Sequence, residues 1–423
     1  MSQKYIRRPE LIILGIILVI GLIFRLMTLK TYGSDLTLGS DDLMYQKNAV
    51  NFLETGMLTY HDPTKPTVHI MPGQVFLLAG IFAIFGHGSL GVLCAKLVMI
   101  TFGVLSIYMT YKIGTYILNP AVGLIAALLL ALYPPEVVVE NLTLTESPYL
   151  FLSLGLLYWS LKLADTHSMK DFYIILLFYF VALYFRVQIA LYPILLFVYL
   201  VAKRYPFRLM IKQACISVLV LLVVLGPWWA RNYVQFHKFI PLTAGSGNPL
   251  LLGTYQGEGY PPGKSMEEID AEILAKYPGI EAHELMAKQQ EVAMDRIKEW
   301  WHTDKKSMLK SYLILKPQIF WEKAYYYPAT PISIFDISGE DMKKIYDPIK
   351  TGFIICSILA FAFCWRRWRE YSFFWINILF QTYFNSLYFA YDRYALPLMP
   401  MLFIMIGVGI VSTVMRVSRP FLK

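Results

Sequence analysis

Long apolar runs separated by short polar segments make up most of the chain. A membrane-spanning helix needs about 20 predominantly apolar residues, with a range of roughly 17–25. The runs that reach this length are 10–30, 88–116, 121–139, 148–164, 172–203, 212–229, 348–365, 371–388 and 396–415. The run at 172–203 is long enough for a tight pair of helices. The pattern predicts an all-α polytopic membrane protein with about ten transmembrane helices.

Composition supports this interpretation. The 423 residues are 57% hydrophobic and only 16% charged, with a mean hydropathy of +0.50. Soluble domains carry about 25% charged residues, so we expect membrane lipids to surround this chain. The net charge of +9 raises the alternative of a nucleic-acid partner. Because Lys and Arg stand in short clusters between apolar runs, where the positive-inside rule explains them, we expect no nucleic-acid partner.

The basic clusters also predict an orientation. The apolar segment 74–85 is too short to span, and counting it as a span breaks the alternation of charges, so we expect a helix in the outer interface. Short loops on the outer side then contain only Arg186 and Arg393. This bias predicts a multi-pass plasma-membrane protein with a cytoplasmic N-terminus and a retained signal anchor. The basic residues assigned to the cytoplasmic side are Lys4, Arg7, Arg8, Lys112, Lys162, Lys170, Lys203, Arg204, Arg208, Lys212, Arg366, Arg367, Arg369, Arg416, Arg419 and Lys423.

Two polar regions are then predicted to lie outside the membrane, at 31–87 and 231–346. The second region is rich in Gly and Pro and loop-like through PLTAGSGNPLLLGTYQGEGYPPGK. It becomes helical from Met266, is broken near Pro278 and ends before Pro317. We therefore divide the chain into a transmembrane catalytic module at 1–230, an extracytoplasmic subdomain at 231–346 and C-terminal transmembrane helices at 347–423.

The stretch GSDDLMYQKNAVNFLETG has the pattern of an amphipathic helix beside the membrane. Ser40 is a good N-cap, Asp41 and Asp42 occupy the first turn, and Gly56 is a C-terminal stop. The helix dipole alone favours acidic residues in a first turn, so capping is a sufficient explanation for either Asp considered singly.

Other charged and polar residues are predicted to reach the same face at the same depth. Individually they have ordinary explanations, because an Arg at a helix end often extends to lipid headgroups and a lone His is usually a loop residue. As a set at a bilayer boundary, such groups indicate a functional site. They are Glu146, Arg186, Arg231, Asn232, Arg393 and His69.

Carboxylates together with cations suit one kind of reaction. A carboxylate takes the proton from an acceptor hydroxyl while a departing phosphate gains negative charge, which Arg, Lys or a divalent metal must stabilise. A transporter or lipid flippase is an alternative, although it predicts charges near the middle of spans and repeat symmetry, which this sequence lacks. A non-catalytic scaffold protein with a degenerate site is a third.

These landmarks, in this order, resemble the GT-C membrane glycosyltransferases, in the branch of protein O-mannosyltransferases, lipid A aminoarabinose transferases and bacterial relatives of glycosyltransferase family 39. The acidic pair with an aromatic residue three positions on, at Tyr45, is similar to the start of that family's first interfacial helix. The other similar segments are KPTVHIMPGQVFLLAGIFAIFG, YKIGTYILNPAVGLIAALLLALYPPEVVVENLTLTE, FRVQIALYP, PWWARNY with FIPLTAGSGNPLLLG, and DRYALPLMP.

The resemblance implies a GT-C fold and direct, inverting transfer of a sugar from a polyprenyl-phosphate donor to an acceptor hydroxyl on the extracytoplasmic face. Asp41 would be the general base, beside Asp42, and Glu146 would orient the acceptor or the sugar. Arg186 and Arg393, with Arg231, would hold the phosphate. The substrate cavity would be lined by Tyr45, His69, Asn232 and Tyr394.

Two departures from the family limit what the resemblance implies. Asp-Asp replaces the usual Asp-Glu, and VHIMPG has no acidic residue where the aminoarabinose transferases put a metal ligand. We therefore assign no metal ligand and no cofactor, and leave a divalent metal open. The chain lacks the large soluble insert of the protein O-mannosyltransferases, so the acceptor is left open between a glycan, a lipid and a protein.

Overall fold

The computed structural model describes residues 8–60, 62–260, 263–323, 339–362 and 367–418. Within these ranges every regular element is helical, which confirms the predicted all-α class. The predicted cytoplasmic residues Lys4, Arg7, Arg366, Arg419 and Lys423 lie outside them. The α-helices are α1 (Arg8–Tyr32), α2 (Asp41–Thr55), α3 (Gly73–Phe85), α4 (Ser89–Ile117), α5 (Pro120–Ala131), α6 (Pro134–Val139), α7 (Glu146–Thr166), α8 (Met169–Phe185), α9 (Tyr192–Ala202), α10 (Phe207–Phe236), α11 (Gly247–Gly253), α12 (Met266–Lys276), α13 (Ala282–Thr303), α14 (Lys305–Lys310), α15 (Lys316–Glu322), α16 (Gly339–Phe361), α17 (Trp368–Leu387) and α18 (Met399–Ser418).

The long apolar runs coincide with helices of this bundle. The predicted pair at 172–203 is α8 and α9, joined by a turn of 3₁₀-helix at Val187–Leu191. Four of the described helical segments are long and apolar enough to cross a membrane without help from their neighbours, which supports a membrane location. They are Pro9–Tyr32, Ser89–Ile117, Phe207–Phe236 and Asp392–Val417.

One predicted span is wrong in its continuity. The run at 121–139 is two helices, α5 and α6, with Tyr133 extended between them at φ −83° and ψ 104°. Pro134 and Pro135 follow this residue, and a proline disfavours helical geometry in the residue before it. α6 leads on to Glu146, which begins α7.

Close helix packing builds the core around α4 and α5. A Cβ atom on Gly114 would lie 2.8 Å from the Cα of Gly123, so the two helices meet where neither carries a side chain. Membrane helices commonly pack through small residues in this way. Helices α1, α7 and α18 pack around this pair.

The helix ends separate the two sets of charged residues. Lys203 at the end of α9 pairs with Asp165 near the end of α7, at 2.8 Å, and with Glu370 at the start of α17, at 2.9 Å. Glu146 and Arg186 lie at the opposite ends of α7 and α8. The bundle therefore has one end with these lysine and carboxylate pairs and another end with the candidate site.

The two helices expected in the first polar loop are present. α2 ends at Gly56 in the left-handed region, at φ 71°, as the stop signal predicted. α3 matches the apolar segment 74–85, and α2 and α3 pack together. Their position in the membrane interface stays a prediction.

Region 231–346 contains more helix than the sequence indicated. The supposed loop PLTAGSGNPLLLG contains α11, and α15 begins at Lys316 with Pro317 in its first turn, so the helical part does not end before Pro317. Proline is accepted there because the first turn of a helix does not need its N–H group. The predicted break near Pro278 separates α12 from α13. Helices α10 and α16 run across the predicted limits at 230 and 347, so the division into three units stays a prediction.

Lys316 joins this region to the end of α17. It is buried, and its Nζ donates to the carbonyl oxygens of Gly253, at 3.0 Å, and Tyr388, at 2.8 Å. The Nζ also lies 4.0 Å from the centre of the Tyr312 ring. Burial lowers the pKa of this lysine to about 7.

We expect the melting temperature in detergent to rise with pH because of Lys316. Below pH 7 both the folded and the unfolded chain hold the proton, and the folded state bears the desolvated charge. Between the folded pKa of about 7 and the ordinary value of 10.5, only the unfolded chain holds it, so raising the pH favours folding. Lys316→Met should flatten this rise, and Lys306→Met, on an exposed position, should not. Equal slopes in the two variants would contradict the assignment.

Candidate active site

Breaks between helices bring four charged residues to one cavity. Asp41 begins α2 and Glu146 begins α7. Arg186 is extended, at φ −146° and ψ 126°, between α8 and the following 3₁₀ turn, and Arg393 lies in a 3₁₀ turn at Asp392–Leu398. All four line a cavity of about 390 Å³, together with Tyr45, His69 and Tyr394. These seven positions were predicted for the site, and the fold brings them together.

The four charges form one continuous chain of ion pairs. Glu146 Oε1 lies 3.1 Å from Arg186 Nη1 and 2.9 Å from Arg393 Nε. Arg393 Nη2 donates to Asp41 Oδ2 at 2.7 Å. Two carboxylates therefore balance two guanidinium groups, as buried charges require. The Glu146 side chain is 3% exposed and that of Asp41 is 43% exposed, so Asp41 is the carboxylate that faces the open space.

The Asp41 carboxylate is ionised. Burial by itself would raise the pKa of Asp41, but the Arg393 guanidinium and the Tyr60 hydroxyl outweigh it and hold that pKa below its ordinary value. Tyr60 donates its hydroxyl to Asp41 Oδ1 at 3.2 Å. Burial, with the charge of Asp41, raises the pKa of both Tyr45 and Tyr60, so these phenols stay protonated.

Aromatic rings hold the Arg186 guanidinium in place. Its Cζ lies 4.9 Å from the centre of the Tyr394 ring and 5.5 Å from that of Tyr149. Its Nε donates to the side-chain oxygen of Gln188 at 3.4 Å. The sequence pattern did not single out Tyr60, Tyr149 or Gln188. Of these, only Gln188 has a signal in the sequence, because it is a polar residue two positions after Arg186 in the same apolar run.

Asp42 lies apart from the cavity, so its predicted catalytic placement is corrected. Its carboxylate accepts from the backbone N–H groups of Leu38, at 2.9 Å, and Ser40, at 3.4 Å, and it is only 1% exposed. The Ser40 side chain makes no capping hydrogen bond. Asp42 therefore fixes the turn before α2, and Asp41 alone of the pair faces the cavity.

Arg231 and Asn232 also lie outside the cavity lining, which corrects their predicted phosphate and substrate contacts. α10 continues to Phe236, so both residues are helical rather than beyond the helix end. Arg231 Nη1 donates to the carbonyl oxygen of Thr67 at 2.8 Å, and the buried Asn232 donates to that of Ile240 at 2.9 Å. They hold the loops around the site.

Thr143 fixes α2 relative to α7. Its Oγ1 donates to the carbonyl oxygen of Asp42 at 3.2 Å and accepts from the Gln46 amide at 2.9 Å. Gln74 on α3 donates to the Thr143 carbonyl oxygen at 2.9 Å. Three positions before Thr143, the buried Glu140 pairs with Arg25 on α1. These bonds set the separation between Asp41 and Glu146.

An apolar groove leads to the cavity from the side of the bundle. It encloses about 540 Å³ between α3, α8 and α10 and is lined by Phe76, Leu177, Phe180, Val220 and other residues. Phe185, the neighbour of Arg186, lines both the groove and the cavity. The groove therefore ends where the positive charges begin.

The described residues contain no cluster of three or more His, Cys, Asp or Glu side chains able to hold a metal ion. The charged groups of the cavity are two carboxylates paired with two guanidinium groups, and its other polar side chains are phenols, an imidazole, hydroxyls and amides. Such a set offers an anion the two arginines as ligands.

Comparison with known proteins places this geometry in context. Residues 65–229 match the family described as dolichyl-phosphate-mannose-protein mannosyltransferase. A search among curated proteins finds no match. The structure resembles archaeal oligosaccharyltransferase AglB from Archaeoglobus fulgidus in complex with an inhibitory peptide and a dolichol-phosphate, with 16% identity and a TM-score of 0.58 over 97% of this chain and 51% of that chain.

Two further structures are similar. The Archaeoglobus fulgidus oligosaccharyltransferase in the apo form has 14% identity and a TM-score of 0.51 over 99% of this chain and 52% of that chain. ArnT from Cupriavidus metallidurans bound to undecaprenyl phosphate has 13% identity and a TM-score of 0.45 over 95% of this chain and 77% of that chain. This chain spans about half the length of the oligosaccharyltransferases. The family match and the shared architecture confirm the predicted resemblance, and the chain has the GT-C fold of membrane glycosyltransferases.

Proposed function

We propose that this protein is a membrane glycosyltransferase that moves a sugar from a polyprenyl-phosphate carrier to an acceptor hydroxyl. The observation that carries the proposal is the chain of ion pairs from Asp41 through Arg393 and Glu146 to Arg186 in one cavity. This chain combines a carboxylate that can act as the base, Asp41, with two guanidinium groups that can bind phosphate, those of Arg186 and Arg393. By the charge bias of the loops, the cavity faces the extracytoplasmic side and the N-terminus is cytoplasmic.

The donor lipid lies in the apolar groove. Its isoprenoid chain covers the side chains of α8 and α10, and its phosphate follows past Phe185 to Arg186. Arg186 and Arg393 donate charge-assisted hydrogen bonds to the phosphate oxygens, and the sugar occupies the 390 Å³ cavity. Dolichol phosphate in the AglB complex and the mannosyltransferase description of the family support a donor of this class.

Transfer is a direct displacement with inversion. The acceptor oxygen forms a bond to the anomeric carbon while the bond from that carbon to the phosphate oxygen breaks, and the electron pair stays on the phosphate. The hydroxyl proton passes to the Asp41 carboxylate. Arg186 and Arg393 stabilise the charge that develops on the departing phosphate.

Binding of the donor makes Asp41 a stronger base. In the free protein Arg393 holds the pKa of Asp41 low, and a carboxylate with a low pKa is a weak base. When the phosphate draws the Arg393 guanidinium toward itself, Asp41 loses part of this partner and burial raises its pKa. The base is thus activated only when a donor is present.

Glu146 holds both guanidinium groups at once. Its Oε1 lies within 3.1 Å of Arg186 and 2.9 Å of Arg393, and its side chain is buried. These contacts support a role in orienting the two phosphate ligands, in addition to the predicted contact with acceptor or sugar.

The proposed function is tested with membrane vesicles that contain the purified protein. Radiolabelled polyprenyl-phosphate sugars are offered one at a time, together with a mixture of acceptors that contains octyl glycosides, a lipid extract and a Ser/Thr peptide, and the release of the free lipid phosphate is measured. We expect one donor to be consumed. Movement of labelled donor between leaflets without consumption would instead indicate a flippase, and no change in either measurement would contradict both activities.

A further inference from the structure

A second cavity lies beside the first, between the first loop and the late helical region. This side cavity encloses about 230 Å³. Its lining residues are Tyr60, Asp62, 65–69, Ala244, Ile280, Ala282, His283, Leu285 and Met286. It shares no lining residue with the apolar groove, and it shares His69 with the main cavity. The main cavity therefore has two separate neighbours, one apolar and one mixed in character.

His69 lines both the main cavity and the side cavity and lies at the boundary between them. Its Nδ1 lies 3.1 Å from the sulfur of Met286 on α13. On its other side the chain approaches closely at Gly245, where a Cβ atom would lie 2.5 Å from the His69 carbonyl oxygen and 2.6 Å from Nδ1. The His69 side chain therefore lies at the boundary of the two cavities.

Tyr60 connects the side cavity to the proposed base. It lines the side cavity, its ring centre lies 4.9 Å from that of His69, and its hydroxyl donates to Asp41 Oδ1 at 3.2 Å. A group in the side cavity is therefore separated from the Asp41 carboxylate by one tyrosine side chain. Displacement with inversion requires the acceptor to approach from a side other than that of the leaving phosphate.

We propose that the side cavity binds the acceptor and that this acceptor is a saccharide. The inference rests on the proposed function, because it assigns the apolar groove to the donor. The acceptor's remaining sugar residues lie in the side cavity, and its reacting hydroxyl passes His69 to reach Asp41.

The chemistry of the lining favours a saccharide over a peptide. Tyr60 and His69 contribute aromatic surface of the kind that packs on a pyranose, while the side chains of Asp62, Lys65 and His283 are hydrogen-bonding groups that suit its hydroxyls. A peptide that binds as an added strand needs unpaired backbone groups. Here the N–H of Thr67 donates to Leu58 and that of Ala244 donates to Val68, at 2.8 and 2.9 Å.

Photolabelling tests the site without the donor. Octyl glucoside, galactoside and mannoside, each with a diazirine on the sugar, and a diazirine-bearing Ser/Thr peptide are the probes. Ala282→Trp places a ring in the side cavity from an exposed position, and Ala287→Trp, exposed on the same helix outside the cavity, is the matched control. We expect at least one glycoside to label lining residues of the side cavity, and Ala282→Trp to reduce this labelling at least tenfold.

The outcomes separate the two proposals. Labelling by the peptide alone, labelling of other segments, or equal labelling in both Trp variants would overturn the saccharide site. In the donor assay, Ala282→Trp should lower the ratio of sugar transferred to that glycoside over sugar released to water, and an unchanged ratio would also overturn it. If the wild-type protein consumes no donor, the proposed function is refuted. The labelling result would still show whether the side cavity binds a saccharide.

Discussion

Asp41→Asn should lower sugar transfer by about 10²–10⁴-fold, the usual contribution of a general base. The amide retains the shape of the side chain, and its one oxygen can still accept from Arg393 while its NH₂ group faces the Tyr60 hydroxyl, but it cannot take the proton of the acceptor hydroxyl. Transfer is measured with radiolabelled donor in vesicles. Glu54→Gln is the matched control, because it makes the same change on an exposed position of α2.

The pH dependence gives this prediction a second measurement. Arg393 lowers the pKa of Asp41 in the free protein, and bound phosphate should weaken that effect. The acidic limb of kcat/KM, which reports the free protein, should therefore lie at lower pH than that of kcat, which reports the complex. Normal transfer by a folded Asp41→Asn variant, or the reverse order of the two limbs, would contradict Asp41 as the base.

Arg186→Gln should weaken use of the donor by about 10²–10³-fold, as expected when one ligand to developing charge is removed. The loss should fall on kcat/KM for the donor far more than on KM for the acceptor. Arg186→Lys should restore only part of the activity, because an ammonium group cannot match the planar fork that contacts phosphate oxygens and stacks on Tyr394 and Tyr149.

The control for Arg186 is Arg208→Gln, which removes an exposed arginine at the start of α10. We expect donor use in this variant to match that of the wild-type protein. Equal losses in donor and acceptor parameters for Arg186→Gln would contradict a role in holding phosphate and would favour a structural role as the partner of Glu146.

Arg186 and Arg231 together illustrate a limit of reasoning from sequence. Arg186 was predicted to reach the outer face because it interrupts an apolar run, and Arg231 because it lies at the outer end of its span. The family resemblance then implied that both hold phosphate. The sequence could not tell that α10 continues through Pro227 and past Arg231 to Phe236. This continuation directs the Arg231 guanidinium to the Thr67 carbonyl oxygen instead of the cavity. Helix ends depend on tertiary contacts as much as on local signals.

The sequence by itself determined the helical class, the main apolar helices, the α2 and α3 segments and seven of the residues that line the main cavity. These features follow from local properties, namely the length of apolar runs, the spacing of apolar positions and the turn residues at helix ends. The GT-C resemblance rested on the order of such segments along the chain.

Only the tertiary structure decided which acidic residue of the pair faces the cavity. Asp41 and Asp42 are adjacent in sequence, but successive positions on a helix point about 100° apart, and the packing of α2 against Thr143 and α3 sets the direction of each. Two other contacts likewise join residues far apart in the chain. Arg393 pairs with Asp41, and His69 contacts Met286. Such contacts depend on how the helices pack in three dimensions, which no local pattern records.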